Sequence, residues 1–283
     1  MYKLLDSGNF QKLEQVGPFK VVRPSPQAVW KPDLSLDDWM SQADAHYERY
    51  SNGKGEWKIK NKKIEAPFTV QFNDIQMIMK LTSFGHLGVF VEQIPQWLKI
   101  QNIIKKALAK QSEFKFLNLF AYTGGATVSA LKAGAEVVHL DASKTSVAWA
   151  KENADKTGLA GKPVRWIVDD AAKFVQKEVR RGSKYHGIIL DPPSFGRGAK
   201  NEVWKIEEHM IPLLDDIKQL MDDNFSFIQL SSHSQGYTPL ALKNLLTQVC
   251  ENYKGEYIAE ELVVLDKTDK TLPSGAHCFF TRS

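Results

Sequence analysis

The stretch FKFLNLFAYTGGATVSALKAGAEVVHLDAS, residues 114–143, decides the fold. An apolar run of strand length ends at Phe120 and stops at the small-residue turn Ala121-Tyr122-Thr123-Gly124-Gly125. It gives way to ATVSALKAG, which reads as a helix, and a second apolar run, EVVHL, then ends on one acidic residue, Asp141. The turn presents backbone N–H groups at a helix start, and Gly124 and Gly125 let the backbone come close to a ligand. A carboxylate at the tip of the second strand is placed to accept hydrogen bonds from a ribose diol, so the two features together describe an adenosine-ligand site. Two structural alternatives stand beside this reading. The glycine pair serves equally as a tight strand-to-helix turn, and Asp141 as an N-cap for SKTSVAWAKENADKTG.

The pattern recurs downstream. VRWIVDD ends a third strand at Asp169-Asp170, and HGIILDPPSF ends a fourth at Asp191. Ligands of open α/β sheets bind outside the carboxyl ends of the strands, so these acids converge on one crevice. Asp170 is placed to accept the adenine amino group while the N–H of Ala171 meets a ring nitrogen. The structural alternative is that Asp169 or Asp170 caps the helix AAKFVQKEVRR. In DPPSF, Asp191 is pushed toward an extended conformation by Pro192, and the two prolines add carbonyl acceptors without N–H donors. Such a lip suits a substrate that presents N–H donors, as nucleobase edges do, with Phe195 stacking on a flipped base. A Pro-rich loop that merely ends a strand is the alternative.

The chain of 283 residues, 43% hydrophobic and 25% charged, is long enough for one large core and a smaller appended unit. Residues 1–94 carry short apolar alternations bounded by Gly, Pro and Asn, which predict a small β-rich domain. From Pro95 onward, helix and strand patterns alternate through residue 283, which predicts a parallel sheet with helices on both faces. The net charge of +4 is spread along the chain and permits an anionic partner without demanding one. Cys250 and Cys278 have no partners at metal-ligand spacing, so neither a disulfide framework nor a metal site is expected. No apolar run reaches 18 residues, and the N-terminus is too polar for a signal peptide; a soluble cytoplasmic protein without membrane contact is expected.

LNLFAYTGGATVSALKAGAEVVHLDASKTSVAWAKENADKTGL, followed by DDAAKFV and LDPPSFGRG, resembles the class I S-adenosylmethionine-dependent methyltransferases. Within them it is most similar to the 23S ribosomal RNA methyltransferases that modify cytosine C5 or guanine N7, over about residues 84–283. The resemblance implies a Rossmann-like seven-stranded sheet, S-adenosylmethionine as cofactor, S-adenosylhomocysteine as product and ribosomal RNA as partner. HLGVFVEQ, residues 86–93, resembles the family's hairpin entering the catalytic domain, which would put Phe90 and Gln93 near the methionine part of the cofactor. Ala121, Tyr122, Thr123 and Gly124 would lie there too. Asp141 would meet the ribose, Asp170 and Ala171 the adenine, and Asp191 the methyl group, with Ala142 and Ser143 as further cofactor-binding residues. On the acceptor-lip reading of DPPSF, Pro192 and Phe195 would hold the target base. The first 80 or so residues do not match the RNA-binding module of the cytosine-modifying members.

Methyl transfer from a sulfonium is an in-line displacement in which the protein mainly orients the reactants and excludes water. Cytosine C5 needs a cysteine thiolate to add at C6 first. Where that cysteine is expected the chain has Ser231, Ser232, His233 and Ser234, and neither Cys250 nor Cys278 fits. A nitrogen target is therefore expected, guanine N7 ahead of an exocyclic amine because N7 has no proton to lose, with His233 as a base, a stacking surface or a structural residue. Lys54, Lys58, Lys60, Lys62 and Lys63 around Trp57, and Lys173, Lys177, Arg180, Arg181 and Lys184, are candidate phosphate footprints or ordinary solvated faces. Arg197 and Lys200 are better placed to hold a substrate phosphate. A small-molecule or protein methyltransferase would share the cofactor half, whereas a dinucleotide dehydrogenase should show G-x-G-x-x-G, which is missing.

Overall fold

The alternating runs at the N-terminus pair as strands. In the computed structural model, which describes residues 1–50, 54–198, 202–266 and 270–283, these are β1 (Tyr2–Gly8), β2 (Gln11–Val16), β3 (Phe19–Pro24), β4 (Ala45–Arg49) and β5 (Gly55–Ile59). They form one five-stranded sheet in sequential order, with helix α1 (Leu36–Gln42) between β3 and β4. Leu13, Val22, Trp39 and Ala43 are buried together there. Strands β6 (Phe68–Phe72) and β7 (Ile75–Met79) make a separate antiparallel hairpin. The hairpin expected over residues 86–93 is reduced to a turn: the N–H of Thr82 donates to the carbonyl of His86 and that of Lys80 to Leu87. Gly85 and Gly88 interrupt the extended run, and a short 3-10 turn, Val91–Gln93, follows instead of a strand.

From Ile94 onward the chain folds as α2 (Ile94–Leu108), β8 (Lys115–Leu119), α3 (Gly125–Ala133), β9 (Glu136–Asp141), α4 (Lys144–Lys156), β10 (Val164–Val168), α5 (Ala171–Arg180) and β11 (Gly187–Leu190). A small hairpin of β12 (Phe195–Arg197) and β13 (Val203–Lys205) follows, then α6 (Ile206–Lys218), β14 (Phe227–Ser232), α7 (Pro239–Val249), β15 (Gly255–Leu265) and β16 (Thr271–Arg282). Seven strands form one sheet in the order β10-β9-β8-β11-β14-β16-β15, with β16 antiparallel to β14. The chain runs outward from β8 to β10 and returns on the other side at β11. That reversal opens a crevice at the carboxyl ends of β8 and β11.

Both faces of the sheet are covered. Leu117, Leu119, Val138 and Leu140 pack with Phe174 of α5, Leu213 and Ile217 of α6, and Leu242 and Leu246 of α7. Their neighbours point the opposite way, as strand periodicity requires, and Asn118 and His139 meet Thr127 of α3. Each fully buried aliphatic or aromatic side chain contributes about 1.5 to 3 kcal/mol. By their contacts the described residues divide into Met1–Glu92 with Val263–Ser274, and Gln93–Leu262 with Gly275–Ser283. The adjoining ends of β15 and β16 thus count with the N-terminal unit, where Val264 and Leu272 are buried with Leu4 and Ala28. No helix among the described residues is long and apolar enough to cross a membrane.

Candidate active site

The turn after β8 is backbone under strain. Phe120 and Tyr122 have φ of 56° and 48°, left-handed values that non-glycine residues rarely adopt and that collect at ligand sites. The carboxylate of Asp141 holds this turn, accepting from the N–H of Tyr122 at 2.8 Å and from that of Ser143 at 2.8 Å. Burial pushes its carboxyl up, and the two backbone donors oppose that. Asp141 is not the helix cap. Ser143 is, its hydroxyl accepting from the N–H of Ser146, and Ala142 is the half-buried residue between them. Ala121 donates its N–H to Leu140 and accepts from Gly124, while the carbonyl of buried Thr123 takes the Asn153 amide.

The glycine pair answers to packing as well as to any ligand. Gly124 has φ 81°, and a Cβ on Gly125 would stand 2.0 Å from Cζ2 of Trp97. Behind the turn, His139 bonds Thr127 at 2.8 Å, and burial drives its imidazole down to about 3, so it stays neutral.

Asp170 caps α5, accepting from the N–H of Lys173 at 3.0 Å, and Ala171 is buried as the first helical residue. Asp169 accepts from the N–H of Asp170 and pairs with Lys177 at 2.6 Å.

Asp191 follows β11. Its Oδ2 accepts from Nε2 of Gln93 at 3.3 Å, its Oδ1 is buried without a hydrogen-bond partner, and Nδ1 of His233 lies 3.5 Å from Oδ1. Gln93 also donates to Oγ of Ser231 at 3.1 Å and accepts from Nε2 of Gln229 at 3.2 Å. Phe90 belongs to the N-terminal unit, its ring 5.3 Å from that of His86.

The lip is less open than two prolines suggest. Pro192 is buried, and the carbonyl of Pro193 accepts from Nε1 of Trp204 at 2.7 Å. Phe195, 55% exposed, begins the hairpin rather than lying in a loop, and Arg197 is exposed on the same strand. Lys200 lies outside the described residues. Trp204 and Gln229 bond residues of the candidate site and were not revealed by the motifs, although a glutamine inside the buried run FIQL was a signal.

Many of the candidate phosphate-binding cations are already paired. Lys58 pairs with Glu56, Lys60 donates to the Ser41 carbonyl, and Nε1 of Trp57 donates to Thr82. Lys173 pairs with Glu202 and Arg181 with buried Glu178. Among the described residues no group of three His, Cys, Asp or Glu is placed to hold a metal ion.

The strand order, the strained turn and a carboxylate at the tip of β9 define a Rossmann-like methyltransferase fold. A SAM-dependent methyltransferase from Agrobacterium tumefaciens is 35% identical, covers 100% of this chain and 90% of its own, and superposes with a TM-score of 0.93. The family described as "Conserved hypothetical protein 95" matches residues 98–248. The chain belongs to that family, within the SAM-dependent methyltransferases. Among curated relatives, the ribosomal RNA large subunit methyltransferase K/L of Pseudomonas aeruginosa is 33% identical over 144 residues, half of this chain and 18% of that protein. Its namesake from Vibrio cholerae is 30% identical over 150 residues, 52% of this chain and 20% of that protein. The chain therefore spans about a fifth of the length of these curated relatives.

The residues present suit the cofactor. A partly desolvated carboxylate with two fixed backbone donors retains lone pairs for ribose hydroxyls. Asp141→Ala is expected to weaken binding of S-adenosylmethionine or S-adenosylhomocysteine by about 1 to 3 kcal/mol, roughly 5- to 150-fold in Kd. Calorimetry measures this, and equal affinity in wild type and variant would remove the ribose role.

Proposed function

We propose that the protein transfers the methyl group of S-adenosylmethionine to a nucleobase nitrogen, ring or exocyclic, of ribosomal RNA in the cytoplasm. One observation carries the reading. Oδ1 of Asp191 is a buried acceptor without a hydrogen-bond partner at the carboxyl end of β11. Leaving such a group unsatisfied costs about 1 to 3 kcal/mol, so it suits a substrate that brings an N–H donor, as a nucleobase edge does. That the relatives from Pseudomonas aeruginosa and Vibrio cholerae are ribosomal RNA methyltransferases supports an RNA substrate. In this reading Asp141, Ala142 and Ser143 take the ribose, Asp170 and Ala171 the adenine, and residues 121–124 the methionine part, while Pro192 and Phe195 hold the base.

The cofactor supplies an electrophilic methyl carbon on a positively charged sulfur. Asp191 fixes the target by hydrogen bonding, and the buried turn excludes water from the reacting atoms. A carbon target is disfavoured by the thiols. Burial pushes Cys250 up to about 12 and Cys278 up to about 11, so neither offers a thiolate at neutral pH. RNA substituted with 5-fluorocytidine is expected to give no trapped covalent complex, and the Cys250→Ala/Cys278→Ala protein to retain methyl transfer. A trapped adduct, or activity lost with either thiol while cofactor binding survives, would contradict the nitrogen assignment. The paired state of many of the basic side chains favours a second reading, a methyltransferase for a small molecule or a protein. Incubation with ribosomal RNA and labelled cofactor separates the two, since only the first reading transfers label to RNA.

A further inference from the structure

We infer that His233 receives, through Asp191, the proton released by the target nitrogen, which makes that nitrogen an amino group; the inference rests on the proposed nucleobase reaction. Gln93 fixes the carboxylate of Asp191 from one side. Its amide donates to Oδ2 and to Ser231 and accepts from Gln229, so donors and acceptor are engaged inside the protein and the side chain acts as a positioning residue. The other oxygen, Oδ1, lies 3.5 Å from Nδ1 of His233 and has no hydrogen-bond partner. Asp191 faces the imidazole from the end of β11, and Gly275 of β16 covers the ring, where a Cβ would stand 2.9 Å from Cδ2. Ser194 and Ser234 join their hydroxyls at 2.7 Å, which ties the segments after β11 and β14 together beside the pair. The His233 side chain keeps 32% of its surface exposed, which gives the proton a route to water.

The step balances. The amino lone pair forms a bond to the methyl carbon, and the sulfur–carbon bond breaks with its electrons left on sulfur. The nitrogen, now cationic, keeps its N–H electrons as the proton passes to Oδ1 of Asp191 and on to Nδ1 of His233. The imidazolium then loses it to water. A ring nitrogen such as guanine N7 has no proton to release and would leave the pair idle.

The test combines product identity, variants and titration. Mass spectrometry of digested RNA should find an N-methylated amino group. His233→Gln still bonds Asp191 but takes no proton, so it should lose on the order of a hundredfold in rate. The wild-type rate should rise with pH through one ionisation that the Gln variant lacks, with cofactor Kd within about threefold in both. Added imidazole should restore rate to His233→Ala. In the cofactor-free protein the NMR titration of the His233 ring should change when Asp191→Asn is introduced. A ring-nitrogen product, a Gln variant with the wild-type rate and pH profile, or an unaltered titration overturns the relay while the nucleobase reaction stands, and a carbon product overturns both the relay and the nitrogen assignment. RNA that takes no methyl group removes the proposed function and the relay together.

Discussion

Asp191→Ala is expected to slow methyl transfer by about 10² to 10⁴ while leaving cofactor affinity within a few-fold. The carboxylate stands at the end of β11, on the far side of the sheet reversal from Asp141, and its free oxygen is the acceptor that a target base would meet. It contributes little to the core, because about 30% of the side chain is exposed and the hydrogen bond it accepts from Gln93 is long, at 3.3 Å. Truncation leaves Gln93 bonded to Ser231 and Gln229 on β14, and the backbone pairing of β11 with β14 does not involve the Asp191 side chain. Single-turnover transfer with labelled cofactor reads the rate, and calorimetry reads affinity. A variant with the full rate, or one that loses the cofactor as strongly as Asp141→Ala, shows that the carboxylate has another task.

The parts of this site legible in the sequence are those set by local patterning. The runs KFLNLF, EVVHL and HGIIL become buried parallel strands because they are apolar on both faces apart from Asn118 and His139, which bond Thr127, and the acids that end or follow them fall at the carboxyl edge without further information. Asp141 and Asp170 look alike in sequence, each an acid ahead of a helix. Only the backbone separates them, since Ser143 takes the capping position after β9 and Asp170 keeps it after β10. Contacts made across the fold were not legible. Gln93 meets Ser231 and Gln229 across more than 130 residues of chain, and the Pro193 carbonyl is taken by a tryptophan from a three-residue strand too short to show alternation. The same holds at the end of the chain, where β15 and β16 read as strands but their allegiance to the N-terminal unit depends on Leu4 and Ala28. The sequence of that unit draws attention to the lysines around Trp57 and to Phe90, whereas Glu14, fully buried, lies in a run of ordinary strand composition.

Glu14→Ala is expected to destabilise the N-terminal unit by about 3 to 5 kcal/mol, because it strands a buried guanidinium. The Glu14 carboxylate is fully buried on β2, where it accepts from Nε of Arg23 at 2.7 Å, from Nη2 at 3.0 Å and from the Tyr2 hydroxyl at 2.7 Å. Burial alone would push its carboxyl up. The Arg23 guanidinium, helped by Lys12, overcomes that and holds it at about 2. The folded value lies below the unfolded one of about 4.3, so the charged form stabilises the fold. That contribution, about 3 kcal/mol, is complete above the unfolded value and is lost as pH falls from there toward 2. Thermal unfolding of the full chain should therefore show a transition that shifts down by about ten degrees or more at pH 7 in the variant. Below about pH 4.3 the wild-type transition should fall steeply and the variant's should flatten, so the two curves converge. A variant that keeps the wild-type acid sensitivity would place the titrating carboxylate elsewhere, and one that melts with the wild type at pH 7 would show that Arg23 finds water or another acceptor when Glu14 is gone.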